Sequence, residues 1–137
     1  MSRSGYTDDY AEQWQFIMWR GAVHSAIHGK RGQAMLKELL AALDAMPTKE
    51  LIAHDLECNG QYCALGVLGT QRGIALTALD PEDQTQVAQK FGIARALACE
   101  IVYMNDEGAW GKETPTQRWV RMRAWIASQV NQRGPRE

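Results

Sequence analysis

Apolar residues recur at helical intervals along most of this chain and alternate in one short stretch. Between Tyr10 and about His28, one face carries Tyr10, Trp14, Ile17, Met18 and Gly21, and a second carries Phe16, Trp19, Val23 and Ile27. Thr7, followed by Asp8 and Asp9, supplies an N-cap and acids suited to the positive end of a helix dipole. A helix apolar on two sides is normally surrounded by other elements, so the spacing predicts a central first helix. Gly29-Lys30-Arg31-Gly32 breaks it. A second helix is expected from Gln33 to Met46, striped by Leu36, Leu39, Leu40 and Leu43 and followed by Pro47.

The period then changes. Residues 51–57 and 62–65 flank Cys58-Asn59-Gly60-Gln61, and Asn-Gly at the two central positions favours a type I′ hairpin turn. That register pairs Cys58 with Gln61 and Leu56 with Cys63. It predicts a short hairpin over about residues 51–65 with Ile52, His54, Leu56, Cys58, Cys63 and Leu65 facing inward. Cys58 and Cys63 then sit on a diagonal about 7–8 Å apart, too far for a disulfide.

Helical signals return after the hairpin. Gly66 to Gln71 reads as a short helix ended by Arg72-Gly73. Asp80-Pro81-Glu82-Asp83 predicts a helix start with Asp80 as N-cap and Pro81 in the first turn. Val87, Ala88 and Phe91 form its buried side before Gly92. Arg95 to Met104 is expected to be helical, ended by Asn105-Asp106-Glu107-Gly108. Thr114-Pro115-Thr116-Gln117 is a capping box opening a last helix striped by Trp119, Met122, Ile126 and Val130. The sum is a mainly α protein: one compact helical domain over residues 1–137, built around a central N-terminal helix, with one short β-hairpin. Disordered ends are expected at about 1–6 and 132–137.

Composition agrees with a folded domain. The chain has 137 residues, 45% of them apolar, and a formal charge of −1, so a core of ordinary size can form without metal or disulfides. Three cysteines cannot all pair with one another, no apolar leader opens the chain, and no apolar run nears the ~20 residues of a membrane span. These features predict the cytoplasm. The small net charge hides a separation: residues 80–107 carry −4 and residues 108–137 carry +4.

Candidate chemistry is sparse. His24 and His28 share a helix face and could begin a metal site, but no Glu follows His24 and Arg20 shares the stripe; two solvated histidines is the simpler reading. His54 and Cys63 could form a nucleophile and base, yet buried cysteine is more often inert packing. Gly29-Lys30-Arg31-Gly32-Gln33, with Arg20 and His24 nearby, could bind an anion at a helix start, or be a plain interhelix turn. Residues 84–104 have the small-residue and glycine spacing of a helix-turn-helix, whose second helix would expose Ala94, Arg95, Ala96, Cys99 and Glu100. That surface lacks the bases that DNA recognition needs. Finally, Arg118, Arg121, Arg123 and Lys112 interleave with Trp110, Trp119 and Trp125, and could contact nucleic acid or an acidic protein, or be core and solvated face. No catalytic pattern is present, so the residues predict a binding protein with no enzymatic activity, metal or cofactor. Its candidate contact residues are Arg20, His24, Lys30, Arg31, Arg118, Arg121 and Trp125.

Arg20-Gly21-Ala22-Val23, Gly29 to Gln33, Leu39 to Pro47, Cys63-Ala64-Leu65-Gly66, Leu79 to Asp83 and Met104-Asn105-Asp106-Glu107 together resemble a family of small uncharacterised proteins encoded by bacteriophages and prophages. The resemblance spans roughly residues 20–125 and brings no catalytic residues with it. It implies a phage accessory protein in the bacterial host cytoplasm. By analogy with such proteins, the expectation is non-catalytic binding to a host or phage complex, as an anti-CRISPR-like inhibitor of host defence. The alternative is a small helix-turn-helix regulator using residues 84–104 to bind nucleic acid.

Overall fold

The computed structural model describes residues 3–4, 13–109 and 111–130. Six helices and one hairpin follow in order: α1 (Gln13–His28), α2 (Lys30–Asp44), β1 (Glu57–Cys58), β2 (Gln61–Tyr62), α3 (Ala64–Gln71), α4 (Gln84–Phe91), α5 (Arg95–Glu107) and α6 (Pro115–Gln129), with one 3-10 turn at Leu76–Ala78. The mainly α architecture with a single hairpin is therefore as the hydrophobic pattern predicts.

The hairpin turns at Asn59 and Gly60, both at positive φ (53° and 78°), as a type I′ turn requires. Its antiparallel register pairs Cys58 with Gln61 and Glu57 with Tyr62. The strands are only two residues long, so the expected alternation does not reach back to Ile52 or His54. His54 sits at φ 73° and points outward, Cys58 is exposed, and only Leu56, Cys63 and Leu65 of the predicted face are buried.

The centre of the molecule is not the first helix. In α1, beyond the four residues whose side chains are not described, Val23 and Ile27 are buried while Ile17 and Met18 stand in solvent. Of the second expected face, Val23 and Ile27 are buried and Trp19 packs against the core, whereas Ile17, Met18 and Gly21 of the first face are exposed. Trp14 and Phe16 are among the residues whose side chains are not described, and Tyr10 and the N-cap segment at Thr7–Asp9 lie outside the described residues. The core gathers around α5 instead. Leu97 to Val102 and Asn105 are all buried in it, under α1, α3, α4 and α6. From α2, Leu36, Leu39 and Leu43 pack toward α3 and α6.

Four local expectations are corrected. Lys30, Arg31 and Gly32 belong to the first turn of α2, and the break between helices is Gly29 alone. A Cβ on Gly32 would lie 1.8 Å from the Ala26 carbonyl oxygen, so the glycine is there to let α2 pass close to α1. Asp83, not Asp80, caps α4 by accepting from the Gln86 N–H, while Asp80 caps the preceding turn through the Glu82 N–H. The stretch Asn105-Asp106-Glu107 continues α5 rather than ending it. Arg3 and Ser4, expected to be disordered, are buried at 5% and 0% exposure; the rest of the expected disordered ends lies outside the described residues. The α6 start is as predicted, with both halves of the Thr114–Gln117 capping box formed and Pro115 in the first turn.

Candidate functional site

The predicted contact residues separate into two groups. The first is committed to the fold. Arg121 holds Glu113 through Nε and Nη2 at 2.7 and 3.0 Å and donates to the Asn105 carbonyl at 3.2 Å, closing α6 onto the end of α5. Arg118 pairs with the same carboxylate at 3.3 Å and donates to the Leu51 carbonyl at 3.0 Å. The hydrogen bond from Arg121, opposed by partial burial, holds the Glu113 carboxyl below the usual range. Arg123 grips Asp44 at 2.7 and 3.1 Å, and Trp125 packs half-buried against the core. Arg20 reaches Glu100 at 3.0 and 3.3 Å. The basic face anticipated on α6 is thus largely neutralised by carboxylates of its own chain. Trp110 lies outside the described residues.

The second group stays at the surface. His24, His28, Lys30 and Arg31 are exposed where α1 turns into α2. The His24 and His28 rings lie 4.3 Å apart, centre to centre, and among the described residues no third ligand joins them in a metal-binding group. Arg31 bridges to the Gly92 carbonyl at 3.4 Å. A cavity of about 270 Å³ lies beneath, lined by Ser25, Gly29, Lys30, Arg31, Ala94 and Leu97 among others. Gly29 and Ala94 start α2 and α5 without side-chain caps, so this corner combines backbone N–H groups with cationic side chains and favours acidic groups. Along the outer side of α1, Ile17, Met18, Gly21, Ala22 and Ser25 continue the exposed surface.

The helix-turn-helix segment exists as α4, a turn at Gly92 in the left-handed region (φ 68°), and α5. Its second helix is largely enclosed, with Leu97 to Val102 and Asn105 buried. Cys99 and Glu100, expected on the reading face, are buried, and Arg95 is its one exposed base. A recognition helix must offer several side chains to a groove; α5 offers them to the core.

One polar cluster carries no motif in the sequence. Asp106 accepts from Arg3, from Asn105 Nδ2 and from the His54 backbone N–H, with His54 Nδ1 at 3.8 Å. Burial alone would push this carboxyl up, but Arg3, Asn105 and the His54 N–H outweigh it and hold the pKa below the ordinary range. Cys63, the N-cap residue of α3, is buried beside the Arg3 guanidinium. Cys63 is buried, as the packing reading of it expects, and it lies beside Arg3 while His54 lies beside Asp106. Sequence offered no signal for this cluster beyond the adjacent Asn105-Asp106 polar pair, since Arg3 lies 103 positions away.

Among the described residues no helix is long and apolar enough to cross a membrane. Compared with protein-family models, curated proteins and solved structures, the chain matches none.

Proposed function

We propose that the protein acts by non-catalytic binding to another macromolecule, using the outer side of α1 as the contact and the Lys30–Arg31 corner as its charged margin. The observation that carries this reading is the exposure of Ile17 and Met18, at 60% and 66%, on neighbouring positions of one helix. Side chains of this size gain free energy when covered, and methionine is enriched where proteins meet. Gly21, Ala22 and Ser25 extend the same surface with small side chains that permit close approach. The partner is a protein whose apolar seat is bordered by acidic groups.

The phage-type resemblance suggests a host or phage complex as that partner, in the host cytoplasm. A defence complex of the CRISPR-effector kind is the first to test, which would make this an inhibitor of host defence. The nucleic-acid alternative has no comparable support, because α5 is enclosed by other helices.

The test is affinity capture from a bacterial host, with and without phage, using wild type, Ile17→Glu/Met18→Glu and Lys30→Glu/Arg31→Glu. The expected partner is retained by wild type, lost with the first variant and weakened by the second. A partner held equally by all three, or capture of nothing but DNA, rejects the proposal.

A further inference from the structure

Arg3 meets Asp106 in a two-pronged pair, Nε to Oδ2 at 2.6 Å and Nη2 to Oδ1 at 2.9 Å. The two side chains are 2% and 1% exposed. Two observations set this apart from an ordinary internal ion pair. The carboxylate is oriented by groups independent of Arg3: Asn105 Nδ2 at 2.9 Å and the His54 N–H at 3.1 Å. Asn105 is in turn fixed by the Ile52 carbonyl and the Ala64 N–H. The direction of the acceptor is therefore set by α5 and the hairpin region.

The second observation is Gln84. Its Nε2 donates to the main-chain carbonyl of Arg3 at 2.9 Å, so one residue is held at both its side chain and its backbone. Gln84 is buried, yet its Oε1 has no hydrogen-bond partner, and neither has Arg3 Nη1. Unpaired buried polar atoms are costly. Arg3 therefore occupies this site while leaving one donor and one acceptor there unused.

We propose that Asp106 and Gln84 form a receptor for an arginine residue within a peptide chain, with Arg3 as the resident occupant and an arginine of a partner polypeptide as its competitor. A lysine cannot bridge both carboxylate oxygens in this way, so the site selects the planar guanidinium. Occupation by Arg3 lowers the apparent affinity for any competitor, which keeps the receptor latent in the wild-type chain.

The test uses full-length Arg3→Ala and the peptide acetyl-Ser-Arg-Ser-amide, followed by calorimetry. Arg3→Ala is expected to bind it at least about tenfold more tightly than wild type, and at least about tenfold more tightly than it binds acetyl-Ser-Lys-Ser-amide. Adding Asp106→Asn abolishes binding. Adding Gln84→Ala weakens the peptide but leaves propylguanidinium, which has no backbone carbonyl, unchanged. If Arg3→Ala does not fold alone, circular dichroism in the same titration reads the recovery of helix, which the arginine peptide restores and the lysine peptide does not. Failure of folded Arg3→Ala to bind, recovery with neither peptide, or equal binding with and without Asp106→Asn overturns the proposal and leaves a purely structural ion pair.

Discussion

Asn105, near the end of α5, accepts a hydrogen bond from the Ala64 N–H at 3.1 Å and so serves as the cap that α3 lacks in its own sequence. The same amide donates to the Ile52 carbonyl at 2.9 Å. Asn105→Ala leaves a buried donor and an acceptor unpaired and should cost about 2–4 kcal/mol. Urea unfolding followed by circular dichroism checks this; a loss below about 0.5 kcal/mol would show that water replaces the side chain freely.

The two glycines of the α1–α2 hairpin should respond in opposite directions. At Gly32 a Cβ would meet the Ala26 carbonyl oxygen at 1.8 Å and that of Ile27 at 2.9 Å, both backbone atoms that cannot swing aside. Gly32→Ala is expected to destabilise by about 1–3 kcal/mol through a forced shift of the helices. At Gly21 a Cβ would touch nothing within 4 Å, so Gly21→Ala should stabilise by about 0.5–1 kcal/mol through helix propensity. Chemical denaturation of the pair reads the sign of each.

Arginines of α6 and cations of the α1–α2 corner should separate by what their loss affects. Arg121→Ala leaves Glu113 with Arg118 as its remaining partner and takes a donor from the Asn105 carbonyl at the end of α5, and is expected to cost about 2–3 kcal/mol. Lys30→Ala and Arg31→Ala remove exposed side chains and should change stability by no more than about 0.5 kcal/mol. Denaturation midpoints of the three variants distinguish the two roles, and the reverse order would mean that the α6 arginines are dispensable to the fold.

Acid should weaken the protein through Asp106 and Glu113. Both carboxyls are held below their ordinary values in the folded state, so each adds stability that is complete above the unfolded pKa of about 4 and fades as pH falls below it. Asp106→Asn should be less stable at pH 7 and should lose less between pH 5 and pH 3 than wild type. Urea midpoints across that range give the comparison, and parallel curves would exclude Asp106 as a contributor.

Much of the fold was legible where the signal is local. Asn59-Gly60 specifies its turn, Thr114 to Gln117 specifies a helix start, and Gly92 stops α4 by taking a left-handed conformation that other residues resist. Local signals failed where two readings compete. Ile17 and Met18 have the spacing of a buried face, but periodicity records only that a face is apolar, not what covers it. Asn105 and Asp106 are weak helix formers followed by glycine, so they read as a helix end; their pairing with Ile52, Ala64 and Arg3 keeps them helical. The Arg3 cluster was invisible because its members come from distant segments and share no spacing rule. The arginines of α6 looked like a surface because their partners, Glu113 and Asp44, lie on a loop and on another helix.

α2 meets its last neighbour late. Gln33 donates to the Gln129 carbonyl at 3.0 Å, and Trp119 Nε1 donates to the Leu43 carbonyl at 3.2 Å, so the start and end of α2 are both secured by α6. During synthesis, which adds roughly 5–20 residues each second, the leucine stripe of α2 emerges several seconds before the helix that covers it. A nascent chain halted before residue 115 carries that stripe partly uncovered. Such a chain is the form most exposed to chaperones and proteases, and full burial comes only with the final helix.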